Sequence, residues 1–208
     1  MHIEFLIEDY SGGEALKTLL PSCLAPGTEY QVRNFSGKPD LLKKLPDRLK
    51  GYKAWIPDDY LIVVLIDRDA QDCIVLKQQL EDLATNAGFI TKTQNNGCFQ
   101  VLNRIMIEEL ESWFFGDIDA IVKAYPGVKA SLAQQEKYRD PDAIQGGTWE
   151  ALERILQRAR HHQGGLDKPK AARDIAQYMN PKINRSKSFQ VFYESLEVWQ
   201  KNYSSTIK

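Results

Sequence analysis

Six apolar residues in a row, from Leu61 to Ile66, run straight into Asp67-Arg68-Asp69. Such a run, β-branched at its middle, predicts a strand buried on both faces of a parallel sheet. Shorter strand patterns alternate with helical ones on either side of it. Residues 2–8 and 29–35 read as strands, and a helix over about 13–23 separates them. Residues 40–50 form the next helix, and 60–67 the apolar strand. Asp72 caps a helix that runs to about Ala87 and closes at Gly88, a residue suited to the left-handed end position. Residues 89–94 and 99–107 are expected as fourth and fifth strands. Strands alternating with helices predict an α/β fold, a mainly parallel sheet with helices on both faces.

Beyond residue 116 the pattern turns helical. A short helix over 117–124 stops at Pro126-Gly127, and 134–147 reads as a long polar loop. Thr148 is the expected cap of a helix to His162, ended by Gly164-Gly165. Residues 167–179 and 186–203 complete the set. Phe189, Phe192, Leu196, Trp199 and Tyr203 approximate helical spacing, which makes that stripe core. The division is therefore an α/β part over 1–115 and a helical C-terminal region over 116–208 packed on it, or one continuous domain.

Candidate chemistry concentrates in carboxylates. In an extended strand, residues i and i+2 point the same way, so Asp67 and Asp69 are expected to present together. The carboxyl ends of strands in open α/β sheets form the ligand crevice. Two carboxylates there repel unless a cation lies between them, and Mg²⁺ suits a site of few carboxylates and several waters. Capping of the next helix by the same aspartates is the plain alternative, and the two roles are compatible. Glu8 closes the first strand at the same edge, with Asp9 and Glu14 just after it. Glu108 and Glu111, three apart, are expected to share a helical face beside Trp113 and Phe114.

Composition narrows the setting. The chain is 208 residues, 43% hydrophobic and 26% charged, an ordinary globular mixture. No apolar run is long enough to span a membrane and no signal peptide is evident, so a cytoplasmic location is expected. Three cysteines without CxxC spacing read as buried thiols. The net charge of −1 conceals a divide: residues 1–128 carry 13 Lys and Arg against 19 Asp and Glu, whereas 129–208 carry 14 against 9. Arg154, Arg158, Lys168 and Lys170 lie in the densest basic stretch and are the candidate contacts to nucleic-acid phosphates. A solvated surface would look the same. His161-His162 point about 100° apart on a helix, cannot share an ion, and suit the last turn of the helix instead. No Walker A lysine motif and no full GxGxxG is present.

The succession Leu6-Ile7-Glu8, then Ile66-Asp67-Arg68-Asp69, then Ile107-Glu108-Glu109-Leu110-Glu111-Ser112-Trp113 resembles the bacterial DUF4276 proteins, which are Toprim-like. Gly165-Leu166-Asp167-Lys168-Pro169-Lys170 and Ser186-Lys187-Ser188-Phe189 extend the resemblance over most of the chain. Family members usually carry a short Glu-Gly-x-x-Glu turn, whereas Glu8 here is followed by Asp9-Tyr10-Ser11-Gly12-Gly13-Glu14. That departure weakens a role for Glu14. The resemblance implies a Toprim-like (Rossmann-like) fold in which Glu8 is general acid/base or metal ligand and Asp67 and Asp69 hold Mg²⁺ or Mn²⁺. Glu111 joins them as the fourth candidate catalytic residue. It further implies a metal-dependent nuclease or related phosphodiester-processing enzyme working with an AAA/ABC-type ATPase in phage defence or mobile-element biology. Nucleic acid is then the substrate; the oligomeric state is not readable. Toprim enzymes of the topoisomerase kind add a tyrosine nucleophile, but Tyr10 reads as helix-start packing. Haloacid-dehalogenase phosphatases also carry Asp-x-Asp, but after the first strand and before Thr or Val, unlike Ala70 here. The rival from another class is a non-catalytic adaptor that binds an ATPase through its helical half.

Overall fold

Side-chain alternation on two central strands decides the architecture. On β3 (Tyr60–Asp67), Leu61, Val63 and Leu65 enter one core while Ile62, Val64 and Ile66 enter the other. β1 (His2–Ile7) repeats the division, with Ile3, Phe5 and Ile7 on the first face and Leu6 on the second. Each such buried Val, Leu or Ile contributes roughly 1.5–3 kcal/mol. The computed structural model describes residues 1–57 and 59–206, with side chains to residue 203. Its strands pair in the order β2-β1-β3-β4, all parallel, with β2 (Glu29–Asn34) and β4 (Val101–Met106) at the edges.

Helices cover both faces. α2 (Lys38–Lys53) and α3 (Cys73–Asn86) supply Leu41, Leu45, Leu49, Leu76 and Leu80 to the second core. The first face takes α1 (Tyr10–Cys23) and the helices α4 (Glu111–Phe115), α5 (Ile118–Ala124), α6 (Thr148–Arg158), α7 (Lys168–Ala176) and α8 (Lys187–Thr206). Their buried residues, from Leu16 to Trp199, form one core with β1 and β3. This is the α/β, Rossmann-like parallel sheet that the sequence predicts. Gly13 permits the close approach of α1 to the sheet, since a Cβ there would collide with the Asn34 side-chain amide.

The late Ser-Phe element is a clamp. Trp113 Nε1 donates to Ser188 Oγ at 3.0 Å, and Asp142 accepts from Ser186 Oγ and the Ser188 amide at 2.7 and 2.9 Å. Asn184 Nδ2 donates to the Trp113 carbonyl at 2.8 Å. These bonds tie α4 to the start of α8 through the long polar segment, which contains two 3₁₀ turns, Glu136–Tyr138 and Pro141–Ala143, rather than an open loop.

Several local expectations need correction. Residues 89–94 form no strand; they make a single bridge, Thr91 to Val101. The Gln94 side chain accepts the Thr91 amide at 2.9 Å and turns the chain away from β4. Thr148 does not cap α6: Gly147 holds that place, and Thr148 Oγ1 donates to Glu109 Oε2 at 2.9 Å. α6 ends at Arg158, and His161 and His162 lie beyond it, after Arg160 at φ 65°. His161 Nε2 sits 2.8 Å from the Pro126 carbonyl and His162 Nε2 sits 2.9 Å from Tyr125 Oη, so neither occupies the last helical turn expected of it. Of the three free thiols, Cys23 is buried while Cys98 is exposed. No described helix is long and apolar enough to cross a membrane.

Candidate functional site

Parallel strands place the turns after β1, β2 and β3 at one edge of the sheet, and the acidic residues gather there. Glu8, just past β1, accepts the Asp67 amide through Oε2 at 3.0 Å. Asp67 is the last residue of β3, and its Oδ1 is buried without a hydrogen-bond partner. The strand's alternation stops at this point. Asp69 adopts φ 50°, in the left-handed region, and its Oδ2 lies 2.6 Å from Lys38 Nζ. The two aspartates therefore do not project side by side as an extended strand would place them.

The third segment arrives from β4. Glu108 has φ 59° and precedes α4 rather than sharing a face of it with Glu111. Its carboxylate pairs with Arg68, and its carbonyl accepts the Asp69 amide at 3.0 Å, locking the ends of β3 and β4 together. Glu111, the first residue of α4, is only 4% exposed. Glu109 accepts from Thr148 Oγ1 and the Trp149 amide at 2.9 and 3.2 Å, which fastens the start of α6 to this edge.

Electrostatics distinguish these groups from ordinary surface acids. Burial raises the Asp67 carboxyl well above the usual aspartate range, and the charges of Glu8, Glu111, Asp9 and Asp69 push it further. Burial also lifts Glu111 to about 7, opposed by Lys168 and reinforced by Glu109 and Asp9. Glu8 is raised by burial, against the Asp67 amide bond and the Lys38 charge. The edge thus holds more negative charge than its two lysines offset.

Such a donor set suits a hard divalent cation, and the unpartnered Asp67 oxygen is the observation that fits one. Glu8, Asp67 and Asp69 could hold it. Among the described residues, however, no three such side chains are gathered tightly enough to surround an ion. The reason is local: Glu8 bonds the Asp67 amide, and Asp69 is drawn to Lys38.

The basic candidates separate. Lys168 reaches the site, with Nζ 4.0 Å from Glu109 Oε1 and 4.8 Å from the Trp149 ring centre. Lys170 pairs instead with Asp174, which also accepts from Tyr125 Oη at 3.1 Å. Arg154 and Arg158 are exposed on α6, and Arg154 lines a cavity with Tyr138 and Asp140. Glu14 pairs with Lys17 and Arg173 at 2.9 and 3.1 Å, which ties α1 to α7 and leaves it no part at the carboxylate edge.

Sequence reasoning misses Lys38. The available signal is its place in Ser36-Gly37-Lys38-Pro39, where Pro suits the first helical turn and the preceding strand ends at the acidic edge. A helix read from Asp40 leaves the lysine in an unremarked turn. Comparison with known proteins adds one finding. No curated protein and no solved structure matches the chain. The profile of a family described as a domain of unknown function, DUF4276, matches residues 7–197, and the chain belongs to that family.

Proposed function

We propose that this protein is a Mg²⁺- or Mn²⁺-dependent, Toprim-like nuclease or related phosphodiester-processing enzyme. The reading rests on one observation above all. Acidic residues from three separate segments meet at the carboxyl edge of a parallel sheet, where Asp67 is buried with an unpartnered oxygen and a strongly raised pKa. The order of Glu8 after the first strand and Asp67-Arg68-Asp69 after a central strand supports the Toprim likeness. A cation bound by Glu8, Asp67 and Asp69 would neutralise charge on non-bridging phosphate oxygens and activate a nucleophile.

The chain's own residues have separable parts in this scheme. Glu8, whose carboxyl burial raises above the usual glutamate range, is either a ligand of the ion or the general acid/base beside it. Glu111 is buried behind the edge and adds negative potential toward Asp67. Lys168, held over Trp149, offers an ammonium to a phosphate. An AAA/ABC-type ATPase partner and a role in phage defence or mobile elements belong to the same proposal, with nucleic acid as substrate.

The adaptor reading has one observation in its favour. Ile74 and Val75, adjacent at the start of α3, are 77% and 68% exposed, an apolar pair suited to a protein contact, though on the α/β part and not on the helical half expected to bind the ATPase. Titration with Mn²⁺, followed by a nuclease panel on DNA and RNA with and without the ATPase, separates the two. Metal binding with cleavage supports the enzyme. Binding to the ATPase with no Mn²⁺ binding at all overturns it in favour of the adaptor.

A further inference from the structure

We propose that Lys38 is the resident cation of the carboxylate edge: it competes with a divalent ion for Asp69 and, once released, holds a phosphate oxygen. The proposal rests on the metal reading above and adds a coupling to it. Its starting point is placement. Gly37 at φ 93° donates its amide to the Glu8 carbonyl at 2.9 Å, pinning the start of α2 against the end of β1. Lys38, the first residue of α2, is thereby carried into the acidic edge with its side chain only 10% exposed.

Its ammonium has two partners there, Asp69 Oδ2 at 2.6 Å and the Arg68 carbonyl at 3.2 Å. Only the first carries charge. Asp69 meets it from a left-handed backbone conformation that few non-glycine residues adopt. That turn also keeps the carboxylate from joining Glu8 and Asp67 around one ion. A divalent ion that draws Asp69 round to Glu8 and Asp67 moves it out of this conformation and so away from Lys38. Glu8 also feels the Lys38 charge, but a buried ammonium that loses its ion-pair contact is costly, so its release creates a position for a new anion. A phosphate oxygen supplies it. Cation and phosphate should then favour each other's binding, each to the same extent. Toward the ion Lys38 acts only through Asp69; toward the phosphate it is a direct contact. Lys168, on the other side of the edge and 37% exposed, has no such exchange to make.

The test measures Mn²⁺ binding by calorimetry, with and without methyl phosphate, in the full chain and its variants. Lys38→Met should bind Mn²⁺ on the order of tenfold more tightly than the unmodified protein. Methyl phosphate should tighten Mn²⁺ binding to the unmodified protein and leave Lys38→Met unaffected. Lys168→Met is the control for simple removal of a positive charge; an equal gain there, or coupling retained in Lys38→Met, overturns the proposal. Asp69→Asn tests it independently of the lysine variant's folding. Freed of its partner, Lys38 should bind methyl phosphate without metal, read as a phosphorus NMR shift larger than in the unmodified protein. No gain there overturns the exchange. If no form binds Mn²⁺, this proposal and the metal reading fall together. If the unmodified protein binds Mn²⁺ and the variants fail as stated, only this proposal falls.

Discussion

Two regions of the same sheet hold buried carboxylates in opposite surroundings. Glu4, in the middle of β1, meets Arg33 Nε at 2.6 Å, Tyr52 Oη at 2.9 Å and His2 Nε2 at 2.9 Å. Burial alone would raise its pKa, but the bonds from Arg33, His2 and Tyr52 outweigh it and hold the carboxyl low. At the carboxyl end of the sheet, Asp67, Glu8 and Glu111 are raised, and Asp67 keeps an unpartnered oxygen. The first arrangement is complete without a ligand. The second is not, and unneutralised buried charge is the mark of a site built for something else.

The sharpest test of that contrast is to neutralise one acid on each side. Asp67→Asn should weaken Mn²⁺ binding by more than about 100-fold and abolish cleavage, because a direct ligand outweighs the outer groups that cost tenfold or more. The fold should persist, since the substitution removes a charge that burial penalises. Glu4→Gln should leave Mn²⁺ affinity unchanged. Calorimetry on both variants checks the pair, and unchanged binding by Asp67→Asn removes it from the site.

Stability should show the reverse ranking. Glu4→Ala leaves Arg33 and Tyr52 without their acceptor and should cost roughly 2 kcal/mol, limited because Arg33 keeps water contact. Glu4 has a depressed folded pKa, so its contribution is present above about 4.5 and is lost as pH falls through the lower folded value. Chemical denaturation of the Glu4→Gln form should therefore show a flatter acid limb than the unmodified protein.

Glu111 has the opposite sign. Its folded pKa is raised to about 7, so its contribution is fully present below the unfolded value near 4.5 and is lost as pH rises through 7. A tenfold change in a proton's affinity corresponds to about 1.4 kcal/mol, and Glu111→Gln should remove a loss on the order of 3 kcal/mol across that window. Asp67 is displaced in the same direction, so part of the decline should remain in the variant. Melting temperatures from pH 4 to about 8 read this directly, and Mg²⁺ should restore stability at the upper end. A Glu111→Gln profile parallel to the unmodified one would show that its carboxyl titrates normally.

How far this contrast is legible in the sequence depends on which interaction sets each residue. The apolar run of β3 announces its two-sided burial, and Asp67 follows as its last residue. Trp113 and Phe114 are readable as anchors because they are large and apolar among carboxylates. Asp69 is misplaced by the pattern because strand alternation extends only to Asp67, and the left-handed turn depends on Lys38 and on the Glu108 carbonyl. Residues 89–94 have strand composition, yet a side-chain bond from Gln94 turns them away from β4. The clamp of Asp142 on Ser186 and Ser188 explains a stretch that the sequence marks only as part of a resemblance. Long-range partners decide Asp69 and the clamp, whereas residues 89–94 are decided by a bond only three residues apart.

The smallest expected effect concerns the basic residues, where the structure divides what the sequence groups. If they bind phosphates, nucleic-acid affinity should fall with salt by a slope of about 0.7–0.9 per phosphate neutralised. Replacing Arg154, Arg158, Lys168 and Lys170 together with Gln should flatten that slope. The contributions should be unequal. Lys168 stands over Trp149 beside Glu109 at the acidic edge, so Lys168→Gln should remove close to one phosphate's share. Lys170 is already paired with Asp174 one turn along α7, and Lys170→Gln should change the slope least. Fluorescence anisotropy of a labelled oligonucleotide over a salt series measures each share. A slope that survives the fourfold replacement would make these residues solvated scaffold or a protein contact, and would move the weight of the comparison toward the adaptor.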